Sequence, residues 1–88
     1  MKIKKGFLMR EVAGKPVVIP TGETTNDFSG MIKLNETGKE IWENIENEKT
    51  EQEIAEYLAT KYGITLEEAS EDVSSFVNQM REEGFLED

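Results

Sequence analysis

Short apolar runs separated by small or polar residues fill the first third of the chain and predict strands. Residues 7–12 and 15–20 flank the pair Ala13-Gly14, which favours a hairpin because small residues suit a tight turn. The polar residues 21–29 predict a loop, and residues 30–34 predict a third strand. The N-terminal part is therefore expected to form a three-stranded antiparallel sheet.

Apolar residues recur at helical spacing in the rest of the chain, and polar caps divide it into three segments. Asn35 predicts the start of a first helix that ends near Asn47. Thr50 and Thr65 each have Glu three residues later, a capping-box pattern that predicts the start of a second and a third helix. The predicted terminators of these two helices are Gly63 and Gly84. The predicted buried faces contain Ile41, Trp42, Ile45, Ile54, Tyr57, Leu58, Ala69, Val73, Phe76, Val77 and Met80.

Strands that precede helices predict an α+β class. Three short helices beside a small sheet make a winged-helix-like arrangement, here with an N-terminal three-stranded antiparallel sheet followed by three α-helices. At 88 residues the chain is expected to form one domain over residues 1–88, with Trp42 in its core.

The sequence contains no Cys and no His, which removes the thiol nucleophile, the imidazole base and the usual zinc ligands. It also lacks a glycine-rich phosphate loop and the alternating oxygen ligands of a calcium loop. We therefore expect no catalytic residues, no metal and no cofactor. No apolar run has the length of a signal peptide or a membrane span, so a cytoplasmic protein is expected.

Charge is distributed unevenly along the chain. The net charge is −9, with +3 on residues 1–34 and −12 on residues 35–88. The candidate recognition helix of a helix-turn-helix, residues 66–83, has six acidic residues and a single Arg81, so it would be repelled by a phosphate backbone. An acidic winged-helix transcriptional regulator is therefore disfavoured, and it remains an alternative together with another kind of protein–protein adaptor.

Peptide binding is the function that these features favour. The third strand is followed at once by the first helix, so one edge of the strand is expected to lack a partner and to accept a peptide strand. Side chains of the last helix could then form pockets, with either of its two flanks facing the groove, and Phe76 and Met80 either form the groove floor or belong to the ordinary core. The predicted peptide-binding residues are Met31, Ile32, Lys33, Leu34, Asp72, Phe76, Gln79, Met80 and Glu83.

The stretch from Leu34 to Trp42 resembles a known signature. Leu34-Asn35-Glu36-Thr37-Gly38 followed by Ile41-Trp42 is similar to the L-N-x-T-G-x-x-I-W pattern of the PqqD-like family, named after pyrroloquinoline quinone biosynthesis. The residues Asp27 to Met31 and the closing Gly84-Phe85-Leu86 also agree with that pattern, and the resemblance extends from about Phe7 to Leu86.

This resemblance implies a RiPP recognition element, a small winged-helix-like domain that binds the leader part of a ribosomally made precursor peptide. The expected partners are this leader peptide and a modifying enzyme, such as a radical S-adenosylmethionine protein or a leader peptidase. The family pattern places the leader as an added strand on residues 31–34, against the last helix at residues 72–83. No nucleic acid or membrane partner is expected, and the chain is expected to be a monomer or a weak homodimer, since an open strand edge can pair with its own copy.

Overall fold

The computed structural model describes residues 1–22 and 32–87, and in these ranges the chain forms five strands and three helices. Their bounds are β1 Lys2–Ile3, β2 Phe7–Val12, β3 Lys15–Pro20, β4 Ile32–Lys33, α1 Glu36–Glu46, α2 Glu51–Tyr62, α3 Leu66–Glu82 and β5 Leu86–Glu87. The predicted α+β class, with antiparallel strands before three helices, is confirmed. No helix in the described part of the chain is both long and apolar enough to span a membrane.

The main sheet contains β2, β3 and β4 in that order, and both neighbouring pairs are antiparallel. The predicted hairpin between β2 and β3 is confirmed, with Val12 paired to Lys15 around the two-residue turn Ala13-Gly14. Both turn residues have positive φ, +54° and +79°, as a turn that matches the twist of the strands requires. Of the predicted third strand, residues 30 and 31 lie outside the described residues.

A second sheet of two short strands was not predicted. β1 pairs with β5, so that Lys2 lies opposite Glu87 and Ile3 opposite Leu86. The N–H of Lys4 also donates to the carbonyl of Phe85 at 2.8 Å. These strands are too short to produce a pattern in the sequence, and their pairing joins the two ends of the described chain.

The predicted caps position the helices as expected. The Asn35 side chain accepts from the N–H of Gly38 at 2.7 Å at the start of α1. Thr50 and Glu53 form both halves of a capping box on α2, while Thr65 accepts from the N–H of Glu68 on α3. The predicted terminator of α2, Gly63, is its C-cap in the left-handed conformation at φ +66°.

The end of α3 is a Schellman motif that returns the chain to the core. Gly84 has φ +86°, its N–H donates to the carbonyl of Arg81, and the N–H of Phe85 donates to the carbonyl of Met80 at 2.9 Å. The Phe85 ring then packs edge-on against Phe7, with ring centroids 4.6 Å apart, and lies 6.2 Å from the Trp42 ring. The last helix is thereby joined to both the sheet and α1.

The core lies between the helices and the inner face of the sheet, and Trp42 at its centre is fully buried, as predicted. Two residues of the predicted apolar faces differ. Tyr57 is 43% exposed, because its ring lies outside the contact between α2 and α3 and its hydroxyl lies 3.4 Å from Glu40. Phe76 is only half-buried, since it lies at the edge where α3 meets the sheet.

Candidate functional site

The backbone of β4 offers hydrogen-bonding groups at the edge of the sheet. Among the described residues β4 pairs only with β3, with Lys33 opposite Val17 and Ile32 opposite Val18. The N–H of Leu34 donates to the carbonyl of Pro16 at 2.9 Å, so the backbone groups of Leu34 face β3. Because these directions alternate along an antiparallel strand, Ile32 also bonds toward β3, while the N–H and C=O of Lys33 point to the open edge.

The same alternation separates the side chains of β4. Ile32 and Leu34 are half-buried and pack against the core, whereas Lys33 is exposed on the opposite face of the sheet. A strand added at this edge would therefore place every second side chain over the core face, near α3.

A groove of about 130 Å³ lies along this edge, between β4 and α3. Phe76 provides an apolar wall that is partly open to solvent, and Met80 lies deeper, at 2% exposure. Gln79 adds an amide, and Asn35 lies at the end of the groove where α1 begins. The lining residues are Ile32, Lys33, Leu34, Asn35, Phe76, Gln79 and Met80. An apolar side chain and the backbone of an extended peptide fit such a surface.

Six of the predicted peptide-binding residues line this groove together: Ile32, Lys33, Leu34, Phe76, Gln79 and Met80. Asp72 on α3 and Glu83, the C-cap of α3, are exposed but do not line the groove, and Met31 lies outside the described residues. The flank of α3 that faces β4 is the one that carries Gln79. On the opposite flank, Ser70 and Ser74 line a separate cavity beside the start of α2.

Two residues next to the groove were not predicted as part of the site. Asn35 and Gly38 belong to the sequence signature, but their expected roles were a helix cap and the first helical turn. A β-carbon built on Gly38 would lie 3.0 Å from Cε2 of Phe76 and 3.5 Å from Cβ of Leu34. The absence of a side chain at Gly38 thus lets the ring of Phe76 lie against the start of α1. The two residues are far apart in the sequence, so no local pattern predicts this contact.

A larger cavity of about 540 Å³ lies on another face, between α1 and α2. Its lining includes charged side chains, and next to it Glu40 pairs with Lys61 and accepts a hydrogen bond from Tyr62. The nitrogen of Lys61 also lies 5.8 Å from the ring centroid of Tyr57. These groups satisfy one another, and nothing in the cavity offers an open strand edge. The smaller groove beside β4 is therefore the better candidate for binding a peptide.

Metal-binding clusters of acidic side chains are absent from residues 1–22 and 32–87. The Lys39–Glu11 pair at 2.7 Å joins α1 to β2 on the exposed surface, raising the pKa of Lys39 and lowering that of Glu11 through their hydrogen bond and charge attraction. This pair links two elements of the fold and does not contact the groove.

Comparison with solved structures supports this fold. The chain is similar to the structure titled TbiB1 in complex with the TbiA(beta) leader peptide, with a TM-score of 0.82, 21% identity, and coverage of 99% of this chain and 95% of that chain. It is also similar to lasso peptide synthetase B1 complexed with the leader peptide, with a TM-score of 0.80, 17% identity, and coverage of 96% and 93% respectively. No curated protein matches the sequence.

The family assignment comes from the sequence itself. The family model described as coenzyme PQQ synthesis protein D (PqqD) matches residues 17–86, which include most of β3, all of β4 and all three helices. The chain therefore belongs to the PqqD family.

Proposed function

We propose that this chain captures the leader segment of a ribosomally made precursor peptide and presents it to a modifying enzyme. The observation that carries the proposal is the edge of β4, where the backbone of Lys33 points away from β3 beside a groove that has Phe76 as an apolar wall. Strand addition uses such an edge for affinity and neighbouring pockets for specificity. The two similar structures both contain a leader peptide, which supports the same use of the fold here.

In this proposal the leader lies along β4 and against α3. Its backbone bonds to the backbone of Lys33, and an apolar side chain of the leader contacts Phe76. Asp72 and Glu83, on α3 outside the groove lining, would contact parts of the leader beyond the paired strand. The proposed peptide-binding residues are Met31, Ile32, Lys33, Leu34, Asp72, Phe76, Gln79, Met80 and Glu83.

The chain acts as a non-catalytic module within one domain in this proposal. The sequence lacks the His base and the Cys nucleophile of covalent catalysis, so the chemistry belongs to the partner. A radical S-adenosylmethionine enzyme or a leader peptidase is the proposed partner, and the encounter takes place in the cytoplasm. The same open edge allows weak pairing of two copies, so we propose a monomer with a weak homodimer at high concentration.

A backbone substitution at Lys33 tests strand addition directly. Lys33→Pro removes the N–H that points to the open edge but leaves the bonds between β3 and β4 in place, and proline is tolerated on such an edge. Lys33→Ala is the matched control, because it removes the same charge and keeps the N–H. The probe is the leader peptide of the precursor encoded beside the gene, titrated into isotope-labelled protein while the backbone amide shifts are followed.

We expect shifts concentrated in residues 32–34 and in α3 for the unsubstituted protein. Loss of one backbone hydrogen bond costs about 0.5–1.5 kcal/mol, so Lys33→Pro should bind several-fold more weakly than Lys33→Ala. Equal affinities for the two variants, with both folded, would exclude strand addition at β4. Shifts confined to the cavity between α1 and α2 would place the peptide on the wrong face for this proposal.

A further inference from the structure

The outer face of the main sheet carries a row of side chains that ends at Lys33, one of the residues lining the groove. The register aligns Arg10, Val17 and Lys33 across the three strands, so their side chains share the face opposite the helices. Val17, in the middle of this row, is buried at 2% exposure, whereas Arg10 and Lys33 are exposed. Met9, Val18 and Ile32 form the neighbouring row on the core face, which confirms the alternation. The row of Arg10, Val17 and Lys33, here called the outer row, ends at the open edge of β4.

The outer row carries two basic side chains, those of Arg10 and Lys33. Neither Arg10 nor Lys33 forms an ion pair with another described residue, although both are exposed. They lie two strands apart, about 10 Å at the usual strand spacing. Glu11, which follows Arg10 on β2, points to the face that carries the helices and pairs with Lys39 on α1. Arg10 and Lys33 thus place two positive charges on this face of the sheet, in a chain whose net charge is −9.

The direction of the Lys33 backbone determines which leader residue has its side chain beside the charged Lys33 side chain. Since its N–H and C=O point to the open edge, the leader residue beside Lys33 bonds to them and projects its side chain from the same face as Lys33. The next leader residue on either side projects toward Ile32, Leu34 and the Phe76 wall. This alternation holds for both parallel and antiparallel addition, because adjacent residues of paired strands share a face.

We propose that the captured leader segment has an acidic residue between two apolar residues, with the carboxylate paired to Lys33. This inference rests on the proposed function and specifies the chemistry of its ligand. The acidic residues Asp72 and Glu83 do not line the groove, so neither carboxylate is among the groups beside Lys33. Screening over about 8 Å at physiological salt also limits the effect of more distant carboxylates.

Reversing the charge on each partner tests the pairing. Fluorescence anisotropy would measure the affinity of each protein for the labelled leader peptide encoded beside the gene. It would also measure the affinity for versions of the leader in which each acidic residue is changed singly to Lys. The proteins are the unsubstituted chain, Lys33→Glu, the neutral Lys33→Gln, and Lys49→Glu as the control. Lys49 is exposed in the cavity between α1 and α2, so its substitution changes the net charge equally without touching β4.

We expect Lys33→Glu to bind the natural leader about fivefold or more weakly, since a cross-strand charge pair contributes up to about 1 kcal/mol and reversal adds repulsion. Lys33→Gln should lose less, and Lys49→Glu should bind as the unsubstituted chain does. One acidic-to-Lys leader variant should restore binding to Lys33→Glu. Restoration should weaken as the salt concentration rises.

The outcomes separate this inference from the proposed function. If Lys33→Glu and Lys49→Glu bind the natural leader equally well, the acidic position is wrong while leader capture stands. The same holds if no acidic-to-Lys variant recovers affinity for Lys33→Glu. If the unsubstituted chain does not bind the leader at any concentration, both the proposed function and this inference fail.

Discussion

Gly38 on α1 lies directly against Phe76 on α3, so closely that a β-carbon on Gly38 would come within 3.0 Å of the ring atom Cε2. The same β-carbon would lie 3.1 Å from the Asn35 oxygen that caps α1. The ring of Phe76 forms one wall of the groove beside β4. The width of that groove therefore depends on a glycine in a different element.

Gly38→Ala should move the Phe76 ring toward the groove and weaken leader binding several-fold. Alanine favours a helix interior by about 1 kcal/mol over glycine, whereas overpacking costs about 1–3 kcal/mol, so the net loss of stability should be small. Gly38→Ala should thus reduce the affinity for the leader clearly while changing the free energy of unfolding only slightly. Anisotropy with the leader peptide and urea unfolding followed by circular dichroism would measure the two effects.

A double-mutant cycle with Phe76→Leu identifies the cause. Leucine lacks the ring atom that Gly38 contacts, so Gly38→Ala should cost less stability in the Phe76→Leu background than in the unsubstituted chain. Residues in contact typically couple by about 0.5–3 kcal/mol in such cycles. Strictly additive changes in the free energy of unfolding would mean that a β-carbon at position 38 does not clash with the Phe76 ring.

Trp42 should be essential for stability. Its side chain, on α1, is fully buried and lies against the Phe85 ring. Trp42→Ala is expected to lower the free energy of unfolding by about 3–5 kcal/mol. Urea unfolding followed by circular dichroism would measure this loss, since the substitution removes the chain's single tryptophan fluorophore. A Trp42→Ala protein with near-native stability would contradict the core described above.

Trp42→Phe is the matched comparison. It keeps an aromatic ring but removes the indole Nε1–H, which is buried without a partner of hydrogen-bond geometry. The pKa of Glu46 is raised, first by burial and then by the charge of Glu43, and the Trp42 N–H opposes this rise with a smaller effect. Because removing an unpaired buried donor offsets part of the lost packing, Trp42→Phe should be much milder than Trp42→Ala.

The capping box of α2 should make stability depend on pH. The Glu53 carboxylate accepts the Thr50 backbone N–H at 2.9 Å, which lowers the pKa of Glu53 below its ordinary value. A carboxyl group with a lowered folded-state pKa stabilises the fold above its unfolded pKa, and this contribution is lost as the pH falls through the folded pKa. Glu53→Gln should therefore be less stable than the unsubstituted chain at neutral pH, with the difference shrinking in acid.

Glu68→Gln is the control for this pH dependence. Glu68 has the same position after the cap of α3, but there only the Thr65 side chain bonds to the Glu68 N–H, without the reciprocal bond. Thermal unfolding of both variants between pH 3 and pH 7 would compare them with the unsubstituted chain. A pH-independent difference for Glu53→Gln would show that its carboxylate charge does not stabilise α2.

Local chemistry made the helices and the hairpin predictable. The caps Asn35, Thr50 and Thr65 bond to a residue three positions later, so a single turn contains the whole interaction. The turn at Ala13-Gly14 likewise depends on two adjacent residues. The exposed position of Tyr57 could not be read in this way, because it depends on how α2 rotates against α3.

The hairpin, the three helices with their caps, the burial of Trp42 and membership of the PqqD family could all be read from the amino-acid sequence. The fold was needed to see that the Lys33 backbone points to the open edge, that the Gln79 flank of α3 faces β4, that Gly38 contacts Phe76 and that β1 pairs with β5. Caps and turns involve residues within four positions of each other, whereas strand register and helix rotation depend on contacts between residues dozens of positions apart.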